Sequence, residues 1–163
     1  MEYRLIAGPL RLEQPTLAVV RSAVAFQPLW EAAFAKQFDH RHPGRPMVPP
    51  TPPIDWATEI VVVAALGARS NGCYGVYLSL SEELDCLHVL VHEQTPAPDW
   101  VCTAAITHPT MLAIVRTEAG GVVFHVPPPA PGYQPTAEQE RKMGEAFERW
   151  LDEHPEARQP DPN

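Results

Sequence analysis

The chain has 163 residues, a formal net charge of −8 and 20 prolines. This length fits one domain of ordinary size, and proline stands well above its average share of about 5%. The negative charge argues against an extended nucleic-acid interface, which needs clustered Lys and Arg to displace counterions. Arg41 and Arg45 lie close together but make too small a patch. No segment approaches the roughly 20 apolar residues that span a bilayer, so we expect no membrane span.

The N-terminus and the cysteines bear on the compartment. The sequence MEYRLIAGPL lacks a basic region followed by a long apolar run, so as written it is not a secretory signal. Three cysteines, Cys73, Cys86 and Cys102, do not form an even disulfide framework. We therefore expect a reduced, cytoplasmic setting for the chain as written, and an extracytoplasmic one if an export signal has been removed.

The first third of the chain predicts two strands, a helix and a connector. Short β-prone segments at 3–7 and 17–22 are separated by glycine and proline. The segment FQPLWEAAFAKQF at 26–38 has aromatic and apolar residues at helical spacing, with Pro28 in the first turn. We expect this helix to pack its aromatic face on a sheet. Six prolines in residues 39–53 exclude a helix or a central strand there and predict an extended connector.

The middle of the chain predicts short strands. A continuous apolar run, EIVVVAAL, is typical of a strand covered on both faces, and the segments after it alternate apolar and polar residues. The predicted strands cover residues 59–66, 74–80, 86–93, 101–107, 111–116 and 122–126. Residues 118–121 (EAGG) predict a hairpin turn into the last of them. The fold class we expect is α+β, mainly an antiparallel sheet or small sandwich of six to eight strands, with one covering helix.

The C-terminal part predicts an attached amphipathic helix. Residues 1–126 form the predicted β-rich domain, the proline-rich residues 127–135 a stiff tether, residues 136–154 a helix capped by Thr136, and residues 155–163 a disordered tail. An apolar stripe on the helix consists of Met143, Phe147, Trp150 and Leu151. Two interpretations stay open: the stripe docks on its own domain, or it engages another chain with Phe147 and Trp150 as anchors.

The segment GARSNGCY at 67–74 stands between two predicted strands and is one of an ordered series of short motifs. In chain order the series is Leu29-Trp30, Asp55-Trp56, the strand at 60–66, Gly67, Asn71-Gly72-Cys73-Tyr74, Glu93, Pro96, Pro98 and Thr107-His108-Pro109. Over roughly residues 22–126 this series resembles the C-terminal domain of PrcB-type protease-complex subunits. Asn71 stands where that family usually has Thr, and Cys73 where it has a second Gly. The turn also resembles the inhibitory loop of chagasin-type cysteine-protease inhibitors.

The resemblance implies a non-catalytic, protein-binding accessory role beside a protease. The loop at 67–74 is then a partner-facing edge, and the alternative is that its glycines only make a bent connection between strands. The residues predicted to contact a protein partner are Gly67, Arg69, Asn71, Gly72, Cys73 and Tyr74, with Phe147 and Trp150 from the terminal helix.

Two other function classes stay open. His88 and His92 share one face of a predicted strand, with His125 and Cys86 able to join them, which suggests a small-molecule or metal-binding module. Zinc needs three or four ligands, so two histidines fall short and we predict no metal and no cofactor. A hydrolase with Cys73 as nucleophile lacks any visible base in the sequence, and we predict that the chain is not an enzyme.

Overall fold

Strands and helices alternate irregularly along the chain. The computed structural model describes residues 1–36, 43–44 and 47–158. Its elements are β1 (Tyr3–Ile6), β2 (Thr16–Val20), α1 (Ala23–Phe34), β3 (Glu59–Ala65), β4 (Gly75–Glu83), β5 (Cys86–Thr95), β6 (Thr110–Arg116), β7 (Gly121–His125), β8 (Ala130–Pro131) and α2 (Ala137–Glu153), followed by a 3-10 helix at Pro155–Arg158. The predicted α+β class and the two helices are confirmed.

The first sheet has the order β1-β6-β3-β2 and is antiparallel throughout. All seven residues of β3 are buried, because alternate side chains enter two different cores. Val61 and Val63 pack with α1 on one face, and Val62 and Ala64 pack against the second sheet on the other. The continuous apolar run predicted this double burial, because a strand with one face exposed to solvent would alternate apolar and polar residues.

Helix α1 covers the first sheet with Phe26, Trp30 and Phe34, as the apolar spacing predicts. It begins at Ala23, three residues before the predicted start, because the Ser22 hydroxyl accepts a hydrogen bond from Ala25 N and caps it. Pro28 therefore lies in the second turn and not in the first. The predicted end at residue 38 lies outside the described residues, and the helix ends at Phe34. Of the predicted connector, residues 47–53 are irregular and border this helix, with the Trp30 indole donating to the Pro49 carbonyl at 2.7 Å.

The second sheet packs face to face with the first. Its order is β4-β5-β7, with β4 antiparallel and β7 parallel to β5, and β8 extending the same edge. Leu87, Val89 and Val91 of β5 point into the core between the sheets. The predicted hairpin at residues 118–121 is wrong. After β6 the chain crosses to the second sheet, where β7 pairs with β5. The amide N–H groups of Gly120 and Gly121 bond to Asp85 in the β4–β5 turn, which directs the chain there.

The predicted strand at 101–107 is also wrong. These residues are irregular except for one bridge between Thr107 and Arg69. The Thr103 carbonyl accepts from Gly72 N and Ala105 N, so the segment turns back toward the loop at 67–74 and does not extend along a sheet.

Helix α2 closes the side of the sandwich on which β1 and β4 are edge strands. Its N-terminus has a capping box between Thr136 and Gln139, so the predicted cap is confirmed. Gln139 and Ala146 are its buried residues, and Ala146 belongs to the core between the sheets. The helix docks on its own domain through this face, and of the predicted apolar stripe Trp150 lies beside Gly8 whereas Phe147 is 53% exposed.

The proline-rich segment before α2 lies against the second sheet. Ala130 and Pro131 pair with the end of β5, and Gly132 N donates to the Thr95 carbonyl at 2.9 Å. In the described part of the chain, neither helix combines the length and the apolar character needed to cross a bilayer.

Candidate functional site

Two neighbouring loops meet at one end of the sandwich, and we call residues 67–74 together with residues 97–109 the double loop. Arg69 and Thr107 exchange both backbone hydrogen bonds, at 2.8 and 3.0 Å. Gly72 N donates to the Thr103 carbonyl at 3.1 Å, and the Thr107 hydroxyl donates to the Asn71 carbonyl at 2.8 Å. These bonds make the two loops one unit.

A disulfide between Cys73 and Cys102 crosslinks this unit, with their Cα atoms 5.4 Å apart. The sequence left open whether any of the three cysteines pair. The odd count reflects one free cysteine, Cys86, beside a pair separated by 29 residues. While the bond is intact, the Cys73 sulfur is not available as the nucleophile of a hydrolase, because nucleophilic attack needs a free thiolate.

Arg69 fastens the double loop to the second sheet. Its Nε donates to the Glu93 carboxylate at 2.9 Å, and one Nη donates to the Leu66 carbonyl at 2.8 Å. Its guanidinium carbon lies 5.9 Å from the centre of the Tyr74 ring. Most of the Arg69 donor capacity is thus used inside the chain, which makes Arg69 a support for the loop.

The glycines and the asparagine shape the turn. Gly67 is buried with φ of +74°, and a Cβ there would lie 2.9 Å from the Pro15 ring. A Cβ on Gly72 would meet the Thr103 hydroxyl oxygen, so the close backbone approach falls at this position and not at Cys73. The Asn71 side chain accepts from Cys73 N at 3.0 Å and so forms an Asx turn.

The apolar residues that the double loop presents to solvent are ones that sequence reasoning missed. Val101 is 100% exposed and Ile106 is 69% exposed. The wrong strand prediction at 101–107 gave no sign of this exposure, although Pro96, Pro98 and Pro109 around the segment were a signal for an irregular loop. Large exposed apolar side chains on a rigid loop are typical of contact surfaces.

A cleft borders the double loop, lined by Pro9, Leu10, Arg11, Tyr74, Ile106, Thr107, His108, Pro109 and Thr110. Two polar atoms of its lining residues, Arg11 Nε and His108 Nδ1, are buried and have no hydrogen-bond partner among the described residues. Buried polar groups are normally paired, so these two atoms are exceptions among the described residues.

Phe147 and Trp150 lie on the outer flank of α2. Their ring centroids are 6.2 Å apart with an interplanar angle of 17°, and Trp150 stacks in turn on His154 at 4.7 Å. With Gly8 and Pro9 they line an apolar groove. Pro9 also lines the cleft beside the double loop, so the cleft and the groove share this residue.

The outer face of the second sheet carries the histidines of the alternative prediction. His88 pairs with His125 on β7, with Nδ1 and Nε2 2.9 Å apart, whereas His92 stacks on Tyr133 with ring centroids 4.7 Å apart. The Tyr133 ring also covers Tyr77 at 5.4 Å, and burial lowers the pKa of His92 and raises that of Tyr77. The described residues contain no cluster of three or more His, Cys, Asp or Glu that could hold a metal ion.

Comparison with models of protein families, with curated proteins and with solved structures finds no match for this chain.

Proposed function

We propose that this chain is a non-catalytic protein-binding domain whose contact surface is centred on the double loop. The observation that carries the proposal is that two loops are locked together while Val101 and Ile106 project into solvent. A free loop loses conformational entropy when it binds, and crosslinking the loop in advance removes part of that cost. Exposed apolar residues on a preorganised loop are therefore suited to binding a protein.

The cleft and the α2 groove extend this surface. Tyr74 and Ile106 line the cleft, Phe147 and Trp150 line the groove, and Pro9 joins the two. Aromatic residues are common anchors of protein interfaces. A partner that covers the double loop could thus also reach the apolar flank of α2.

A protease is the partner class that the resemblance to PrcB-type subunits favours. The support is the order of short motifs from Trp30 to Pro109, several of which are residues of the double loop. On this proposal the chain supports or modulates the protease and does not itself cleave a peptide bond.

Affinity capture from native lysate tests the proposal with matched variants. The test variant is Val101→Asp combined with Ile106→Asp, which places charges in the proposed contact. The control is Leu84→Asp, because Leu84 is 101% exposed in the β4–β5 turn, about 30 Å away at the far end of a nine-residue strand.

We expect a protein that is captured by the wild type and by Leu84→Asp but lost with the double-loop variant. It should then bind the purified wild type in isolation, with at least a tenfold loss of affinity for the variant. Identical capture by all three forms would refute the double loop as the contact surface. Capture of a partner with no peptidase activity, or of a protease whose rate is unchanged by saturating amounts of the domain, would refute the protease role and leave the binding role intact.

A further inference from the structure

The outer face of the second sheet holds a pair of imidazoles that the double loop does not involve. His88 lies on the central strand β5 and His125 at the end of the edge strand β7. In the parallel register His88 is opposite Val123 and His125 is opposite Leu90, so the two histidines are diagonal neighbours. Their rings are nearly parallel, with an interplanar angle of 19° and centroids 5.2 Å apart.

The separation of the facing nitrogens is that of an N–H···N hydrogen bond, and a chelate with a right angle at the metal needs the same separation. His88 Nδ1 and His125 Nε2 are 2.9 Å apart. Bonds of about 2.0–2.1 Å from imidazole nitrogen to a metal, meeting at a right angle, place the two nitrogens about 2.9 Å apart. A tetrahedral angle would require about 3.4 Å. The pair therefore fits adjacent positions of a square-planar or tetragonal ion better than a tetrahedral zinc site.

The surroundings favour a cation. The strands β4, β5, β7 and β8 contain no Lys or Arg, and Glu83 of β4, opposite Cys86 of β5, has the alternation of the sheet face that carries His88. His125 is exposed, so solvent can supply the remaining ligands. The sheet holds both backbones in register before an ion arrives, which limits the ordering needed for binding.

We propose that His88 and His125 form a two-histidine chelate for Cu²⁺, with water in the other coordination positions. Copper is the divalent ion that nitrogen ligands bind most tightly in the first-row series, and it accepts tetragonal geometry. In the metal-free pair one ring donates its N–H to the other. On binding, that proton moves through solvent to the other nitrogen of the same ring, and both rings rotate away from the N–N line so that their two lone pairs converge on the ion.

Copper titration followed by calorimetry and by electron paramagnetic resonance tests this site. The background protein carries His40→Gln and His42→Gln, because these closely spaced histidines offer a separate chelate. Three variants are compared in it: His88→Gln, His125→Gln and, as control, His92→Gln. His92 lies on the same strand and sheet face but stacks on Tyr133.

We expect one Cu²⁺ per chain, a spectrum with two coordinated nitrogens, and affinity in the order Cu²⁺ above Ni²⁺ and Zn²⁺. Either His88→Gln or His125→Gln should weaken Cu²⁺ binding at least tenfold, and His92→Gln should change it less than twofold. Equal loss in all three variants, or unchanged binding in His88→Gln, would overturn the proposal. So would a spectrum with one nitrogen. The outcome is independent of whether the double loop binds a protein.

Discussion

The Lys142 ammonium donates a hydrogen bond to the Tyr3 carbonyl, 139 residues earlier in the chain, and lies 4.3 Å from the centre of the Tyr3 ring. Two helical turns further along α2, Arg149 donates to the Leu5 carbonyl of β1. One turn before Lys142, Gln139 donates to the Leu78 carbonyl of β4. These acceptors lie on edge strands of the two sheets. An unpaired strand edge is a template for pairing with other chains, and α2 thus covers two such edges with side-chain donors.

Replacing Lys142 with Met should lower the free energy of unfolding by about 1–2 kcal/mol, because a hydrogen bond from a charged donor and a cation–π contact are lost. The control is Arg141→Met, since Arg141 contacts the exposed Glu145 in an i,i+4 pair and should contribute about 0.5 kcal/mol or less. Urea unfolding measures both. If the two variants were equally stable, the contacts of Lys142 with Tyr3 would contribute nothing measurable to stability.

Two glycines should respond to alanine with opposite signs. Gly67 has φ of +74° and faces the Pro15 ring, so Gly67→Ala should destabilise the fold by about 1–3 kcal/mol. Gly144 lies within α2, and the space that an alanine Cβ would occupy there is open, so Gly144→Ala should stabilise by about 0.5–1 kcal/mol. Thermal unfolding of both variants tests the sign directly. A destabilised Gly144→Ala would mean that something covers that flank of the helix.

Glu59 should make stability depend on pH in the acid range. This buried carboxylate accepts from Arg4 at 2.8 Å, and that hydrogen bond holds the pKa of Glu59 below its ordinary value. A group with a depressed folded pKa stabilises the fold above its unfolded pKa, about 4.3, and this contribution is lost as pH falls through the lower folded value.

The test is the difference in unfolding free energy between the wild type and Glu59→Gln, followed from pH 7 downward. We expect a difference of about 1–3 kcal/mol near neutral pH that shrinks below about pH 4.3. Glu2→Gln is the control, because the Glu2 side chain is 76% exposed and lies 3.8 Å from Arg116. A difference for Glu59 that stayed constant down to pH 2 would contradict the linkage.

The sequence predicted those elements that are determined by interactions within a short segment of the chain. The unbroken run in β3, the alternation in β5 and the Thr136 cap of α2 follow from burial and backbone hydrogen bonding within short segments. The partner of β7 did not follow, because Gly121 is drawn to Asp85 in a turn that is distant in sequence. The buried face of α2 was also missed, since Gln139 and Lys142 are polar by type and are buried or partly buried only because backbone carbonyls accept from them.

In the candidate site, too, local turn features could be predicted from the sequence, whereas contacts between distant segments could not. The turn residues Gly67, Asn71 and Gly72 were visible as turn chemistry, and the structure gives each a specific contact. The exposure of Val101 and Ile106 could not be predicted, because residue type alone does not distinguish an apolar residue in an irregular loop from one in a buried strand. Pairing of Cys73 with Cys102 depends on two loops meeting in space, which cysteine counting does not address.

The disulfide should stabilise the fold and should matter most for the double loop. Closing a loop over a sequence separation of 29 residues corresponds to about 3–4 kcal/mol in the chain-entropy model. We expect the double variant Cys73→Ala, Cys102→Ala to lose roughly this amount in urea unfolding, and the wild type to lose a similar amount in the presence of a thiol reductant. The reductant should have no effect on the variant. Cys86→Ser is the matched control, because Cys86 is the free cysteine and its replacement should leave the response to reductant unchanged.

Alkylation under denaturing conditions should modify one cysteine in the untreated wild type and three after reduction. Three modified cysteines without reduction, together with a stability that reductant does not alter, would show that the two loops are held by their hydrogen bonds alone.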